Sequence, residues 1–186
     1  MDLLPVEDAV KALLELARPV TGDERTSLDQ SFGRTSAEDV FAQIDVPSFD
    51  NSAMDGFAGC HEDVSEGMSY SVSDRIPAGR IGQPLRKNSL ARIFTGAAIP
   101  ESADTVIVQE DVEFSSGTAR IKKLPKKYSN VRRRGHDITS GSKVVSKGEF
   151  LSSAAVALLA SIGETSVKVK TPLTVAIFST GDELVL

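Results

Sequence analysis

Apolar residues near the start of the chain recur at helical spacing: Val6, Ala9, Val10, Leu13, Leu14 and Ala17 share one face of a 3.6-residue repeat. Pro5 is tolerated in a first turn, and Arg18-Pro19 stops the pattern because proline disfavours a helical residue before it. The spacing therefore predicts an opening helix. A second, short helix is predicted over 27–32, with Ser27 as its N-cap and Gly33 as its C-cap, and the residues after Gly33 read as extended into Ala42. From Asp45 the pattern changes to short β-prone runs at 70–72, 91–94, 105–108 and 118–122, punctuated by glycine, proline and asparagine. These runs predict a β-rich domain of roughly ninety residues, a common domain size.

Helical signals return at Ser152-Ser153, which can cap the run 154–162 that Gly163 closes. That run is apolar on most faces, so the helix is expected to be buried. Residues 165–170 alternate Val167 and Val169 with polar neighbours, the pattern of a half-buried strand, which Pro172 ends. Leu173-Thr174-Val175-Ala176-Ile177-Phe178 is a continuous apolar run of the kind found in parallel strands covered on both faces. It leads into Ser179-Thr180-Gly181-Asp182-Glu183, much as a strand of an open α/β sheet leads into its ligand crevice. With no helix or second strand after it, the run is expected to be the first strand of an α/β domain cut short. The alternative is a last strand that pairs with the preceding ones.

Composition narrows the classes. The 186 residues are 40% hydrophobic and 25% charged, as in ordinary globular proteins. No run approaches the roughly 18 apolar residues of a membrane span, and the first residues carry acids where a signal peptide carries bases, so a cytoplasmic location is expected. One cysteine, Cys60, and two histidines, His61 and His136, can form neither an internal disulfide nor a Cys/His zinc site. Any metal is then expected to be a hard cation held by oxygen. The net charge of −5 conceals an asymmetry: residues 120–147 hold ten bases against the single acid Asp137, or +9, which leaves −14 for the rest. Such a strip can attract nucleic acid or a smaller anion. Nucleic acid fits less well, because Tyr128 is the strip's only aromatic and base stacking needs aromatic platforms.

Four stretches could carry chemistry, one of them residues 104–111, where the paired acids Glu110 and Asp111 end a β-prone run as either a metal or proton-transfer locus or merely a solvated strand end. Residues 50–57 place Asp50, Asn51, Ser52 and Asp55 in a turn-rich segment, where Asp55 before Gly56 could hold magnesium or simply complete a turn. Residues 92–100 run from a strand into Thr95-Gly96, whose amides and hydroxyl could bind an oxyanion or merely end the strand. Arg132-Arg133-Arg134 before Gly135 suit phosphate geometry, with Asp137 as an alternative internal partner for one of the arginines. No nucleophilic triad, phosphate-binding Walker loop or dinucleotide fingerprint is present.

Six motifs occur in one order: Pro47-Ser48-Phe49-Asp50-Asn51-Ser52-Ala53-Met54-Asp55-Gly56-Phe57-Ala58, Ala78-Gly79-Arg80-Ile81-Gly82, Arg92-Ile93-Phe94-Thr95-Gly96-Ala97, Ala103-Asp104-Thr105-Val106, Arg133-Arg134-Gly135-His136-Asp137-Ile138 and Ser179-Thr180-Gly181-Asp182-Glu183-Leu184. Together they resemble the molybdopterin molybdotransferase family, the MoeA and gephyrin E-domain proteins that complete molybdenum cofactor synthesis. The resemblance implies an α+β fold: an elongated helix/strand domain from two segments, 1–44 and 138–172, an inserted β-rich domain, 45–137, and at 173–186 the first strand of a truncated α/β molybdopterin-binding domain. It implies magnesium-dependent insertion of molybdate into adenylylated molybdopterin with release of AMP, by a cytoplasmic homodimer that works alongside molybdopterin adenylyltransferase and downstream cofactor-handling proteins. By motif position Asp55, Thr95 and Glu183 are the implied catalytic residues, with Asp55 also the implied metal ligand. Ser52, Gly96, Arg134, Asp137, Thr180, Gly181 and Asp182 are the implied substrate-binding residues. The sequence departs from the family pattern at His136, where an acid is expected, and at Phe57, where tyrosine is frequent. On this resemblance the 186 residues alone are expected to be inactive. A dimerisation or scaffold module without catalysis is the competing expectation; no nucleic-acid partner and no membrane span are expected.

Overall fold

The computed structural model describes residues 5–16 and 22–177. Its elements in chain order are helix α1 (Val6–Leu16), then strands β1 (Asp23–Ser27), β2 (Val40–Phe41), β3 (Asn51–Ser52), β4 (Gly56–Gly59), β5 (Ser69–Ile76), β6 (Ser89–Ile93), β7 (Thr105–Val108), β8 (Val112–Ser115), β9 (Thr118–Ile121), β10 (Val131–Arg132) and β11 (Lys143–Val145), then helix α2 (Ser153–Ser161) and strand β12 (Ser166–Lys170). The mixture is strand-rich with few helices, in keeping with the expected α+β class. The chain falls into two compact units, one of residues 41–143 and one of residues 1–40 with 144–186.

The 41–143 unit is built on a six-stranded sheet in the order β7-β4-β6-β5-β9-β8, antiparallel except for the parallel pair β5 and β6. Successive residues of a strand point to opposite faces, and here both faces are covered. Phe57, Leu90 and Ile107 join Val64, Val112, Ala119 and Ile121 in one apolar cluster; their neighbours Ala58, Ala91 and Val106 join Ile76, Leu85, Ile93 and Ala97 in another. Each fully buried Leu, Ile or Phe contributes about 1.5–3 kcal/mol relative to exposure. Strand β4 lies so close to β7 that a side chain at Gly56 would meet the Ile107 carbonyl oxygen at 2.0 Å, so only glycine fits there. Strand β3 pairs antiparallel with β10, Ser52 opposite Val131 and Asn51 opposite Arg132.

In the other unit, β1 pairs antiparallel with β12, with Thr26 opposite Val167 and Glu24 opposite Val169. Both valines are buried, as their alternation predicts, alongside Leu151, Ala155, Leu159 and Ile162. Strand β1, Asp-Glu-Arg-Thr-Ser, carries no apolar signal; its backbone ladder to β12 and the Lys168 and Lys170 ammoniums on Asp23, at 3.4 and 2.5 Å, make it a strand.

Several expectations need correction. The helix predicted over 27–32 is a single 3-10 turn, Leu28–Gln30, with no cap bond from the Ser27 side chain. Gly33 does adopt a left-handed conformation (φ 79°), but there its N–H donates to the Leu151 carbonyl. Helix α2 begins as predicted, the Ser152 hydroxyl accepting the Ala155 N–H at 3.3 Å, yet it buries only Ala155 and Leu159 and leaves Leu158 44% exposed. An apolar helix is buried only where neighbours cover it, and the described part of this unit covers one face. Helix α1 forms over Val6–Leu16, with none of its residues buried. Residues 173–177 form no strand, and Leu173, Val175 and Ile177 are exposed. Among the described residues no strand pairs with this segment, and without a ladder an apolar run has no reason to extend as one. Phe178 lies outside the described residues.

Candidate functional site

The turn between β3 and β4 and the turn after β6 close on one another. Ser52 is buried: its N–H donates to the Ala97 carbonyl at 2.9 Å, its carbonyl accepts the Gly96 N–H at 2.8 Å, and its hydroxyl donates to the Met54 carbonyl at 2.6 Å. Gly96 makes this possible by adopting φ 81°, a left-handed conformation that a side chain resists. The same closure brings Thr95 to Asp55, forty positions away in sequence. The Thr95 N–H and hydroxyl both donate to Asp55 Oδ1, each at 2.8 Å. These two bonds, from the amide first and the hydroxyl second, hold the Asp55 carboxyl below the ordinary carboxylate range; desolvation opposes them and the Arg92 charge adds to them. Asp55 is therefore an ionised, positioned carboxylate. Four of the residues singled out from the sequence, Ser52, Asp55, Thr95 and Gly96, meet at this corner.

The basic segment is organised differently from its sequence appearance. Arg134 Nε donates to Asp45 at 2.6 Å, and the Arg134 N–H donates to Asp50 Oδ1 at 2.8 Å. Arg133 pairs with Asp50 at 2.7 Å while stacking on the Tyr128 ring, 4.5 Å from its centroid. Burial alone would raise the Asp50 pKa, but the Arg134 amide and the Arg133 guanidinium outweigh it and keep it low. Asp45 is likewise lowered, by the Ser140 N–H and then by Arg134. Asp137 faces His136 Nδ1 at 2.9 Å, so its structural partner is the histidine and not one of the arginines. Arg120 pairs with Glu113, and Lys127 with Glu62 and Asp104. The hydrogen bond to Glu62 raises the Lys127 pKa above its usual value. Acids from outside the strip thus neutralise much of the +9. Thr180, Gly181, Asp182 and Glu183 lie outside the described residues.

The 41–143 unit also carries two depressions. One of about 370 Å³ is lined by Phe49, Gly79, Arg80, Ile81 and Ala98, the other of about 340 Å³ by Phe57, Arg92, Gln109, Val112 and Phe114. Sequence reasoning gave Asp45 and Gln109 no role and named Arg92 only as part of a motif. Asp45 was hidden because its partners, Arg134 and Ser140, lie about ninety positions away. For a hard cation the described residues offer no cluster of three acidic, histidine or cysteine side chains. Asp55 fits the other arrangement open to magnesium, one carboxylate supplemented by water and substrate phosphates.

Residues 4–163 match the family model of the MoeA N-terminal region, domains I and II. The chain belongs to the MoeA family. A MoeA relative from Haemophilus influenzae, named molybdopterin molybdenumtransferase, is 40% identical across 98% of this chain. One of the same name from Staphylococcus epidermidis is 37% identical across 97%. Two crystal structures of the MoeA molybdopterin biosynthesis protein from Pyrococcus horikoshii superpose on 90% and 91% of the chain with TM-scores of 0.76 and 0.83, at 34% and 30% identity. The chain spans less than half the length of these MoeA proteins, 46% and 44% of the curated relatives and 44% and 46% of the crystallised chains.

Proposed function

We propose that this protein serves as a molybdopterin molybdotransferase, inserting molybdate into adenylylated molybdopterin with release of AMP. The observation that carries the reading is the grip of Thr95 on Asp55, in a chain whose relatives are named molybdopterin molybdenumtransferase. Breaking a phosphoanhydride is a task of positioning and charge stabilisation that needs no covalent nucleophile. Magnesium, when bound, would neutralise phosphate charge. Asp55 is the residue to hold it: the two Thr95 bonds fix one oxygen and keep the carboxylate ionised, so that it can take a cation or orient water at a constant position. The turn at Gly96, fastened to Ser52, keeps Thr95 in place. Arg134 holds Asp45 through Nε and Asp137 faces His136 through Oδ1, which leaves the exposed remainder of each side chain to meet substrate. Thr180, Gly181, Asp182 and Glu183 complete the proposed site by their motif position alone. A cytoplasmic homodimer receiving adenylylated molybdopterin from an adenylyltransferase completes the proposal.

The test is direct. The protein as its source produces it, supplied with adenylylated molybdopterin, molybdate and magnesium, is expected to release AMP in step with molybdenum incorporation. No AMP release above the rate without protein would overturn the assignment.

A further inference from the structure

Many of the guanidinium groups have carboxylate partners: Arg25 has Glu38, Arg80 has Asp74, Arg120 has Glu113, and Arg133 and Arg134 have Asp50 and Asp45. Arg75 and Arg92 form no salt bridge among the described residues, although the Arg92 charge reaches Asp55, and they stand opposite one another on the parallel strands β5 and β6. Both lie over one aromatic ring, with guanidinium carbons 4.6 Å and 5.1 Å from the Phe94 centroid, and Arg92 also lies 4.9 Å from that of Phe57. The hydrogen-bond partners of Arg92 are neutral: it donates to Gln109 Oε1 at 2.6 Å and to the Gly56 carbonyl at 3.4 Å.

This pairing is made by a backbone irregularity. Val72 stands opposite Leu90, but the next pairs are Asp74 with Ala91 and Arg75 with Arg92, so Ser73 is an extra residue. An uninterrupted register would have set Asp74 across from Arg92, a favourable pair of opposite charges. The bulge instead aims Arg75 onto the Arg92 face and sends Asp74 to the other, where it meets the Arg80 guanidinium at 3.0 Å and accepts the Gln83 N–H at 3.1 Å. Like charges across a strand pair repel, and an anion between them removes that repulsion. The Phe94 ring holds both guanidiniums and leaves the Arg75 fork available, while Arg92, whose two terminal nitrogens already donate to the Gly56 carbonyl and to Gln109, adds its charge and its remaining N–H groups to a phosphate beside it. The depression of about 340 Å³ lined by Arg92, Gln109, Phe57 and Phe114 provides room alongside.

We propose that Arg75 and Arg92 form a binding site for a phosphoryl oxyanion. Through its bond to the Gly56 carbonyl, Arg92 sits one residue from Asp55. Placing a substrate phosphate at this pair rests on the activity proposed above; binding of the anion itself does not.

Calorimetric titration of the 186-residue chain with diphosphate, and in parallel with inorganic phosphate, sulfate and molybdate at constant ionic strength, tests the site. Saturable one-site binding of diphosphate is expected, weakened about tenfold in Arg75→Gln and in Arg92→Gln and unchanged in Arg86→Gln, which alters an exposed arginine elsewhere on the surface. Arg75→Lys is expected to fall short of wild type, since an ammonium lacks the fork. Arg75 is exposed, so its variants retain the fold, verifiable by an unchanged thermal midpoint; they carry the test even where Arg92→Gln does not fold. Equal diphosphate affinity in wild type and Arg75→Gln would overturn the site, and sulfate or molybdate bound as tightly as diphosphate would overturn its phosphoryl assignment. Diphosphate binding without AMP release would defeat the activity alone, whereas AMP release without diphosphate binding would defeat this site alone.

Discussion

Asp55 owes its character to Thr95 more than to any charge. Two hydrogen bonds on Oδ1 depress its pKa, so its contribution to stability is present above the unfolded carboxylate pKa and is lost as pH falls through the lower folded value. Thr95→Val removes the hydroxyl and keeps the amide, so the Asp55 titration midpoint should rise part of the way toward the ordinary carboxylate value. The acid-side loss of stability should begin at a correspondingly higher pH. Carboxyl-carbon NMR titration checks this; an unmoved midpoint would mean that the hydroxyl contributes nothing. At this scale much of the Asp55 corner was legible, because Asp-Gly after a serine and Thr-Gly after a strand are local signals. The Asp45–Arg134 and Asp50–Arg133 pairs were not, since each joins residues more than eighty positions apart.

Strand β4 shows why elements were missed. Gly-Phe-Ala-Gly has low strand propensity, yet it is central in the sheet, between β7 and β6. Its glycine is demanded by the Ile107 carbonyl, and the ladder with two neighbours makes the strand. Gly56→Ala should therefore push β4 away from β7 and cost about 3 kcal/mol in urea unfolding. A loss below about 0.5 kcal/mol would show that the strands separate freely. Where an apolar pattern met a partner, as at Val167 and Val169 or in β7, the sequence was a faithful guide. It misled where the pattern lacked one, as on the outer face of α2 and along 173–177, and it was silent on β1, a polar strand made by pairing alone.

For the molecule as a whole, the linear charge asymmetry overstated its basic surface. Arg120, Lys127, Arg133 and Arg134 face acids drawn from outside the strip, leaving Lys122, Lys123, Lys126 and Arg132 as exposed cations that form no salt bridge among the described residues. Fluorescence anisotropy with duplex and single-stranded DNA should accordingly show no binding at low salt; steeply salt-dependent micromolar binding would restore a nucleic-acid role. The activity proposed for this MoeA-family chain converges on one carboxylate, Asp55. The most direct measurement is AMP release by Asp55→Asn in the protein as its source produces it, with the fold verified by circular dichroism. The account predicts a loss of about 100-fold or more in turnover with the fold retained; wild-type turnover in that variant would contradict it.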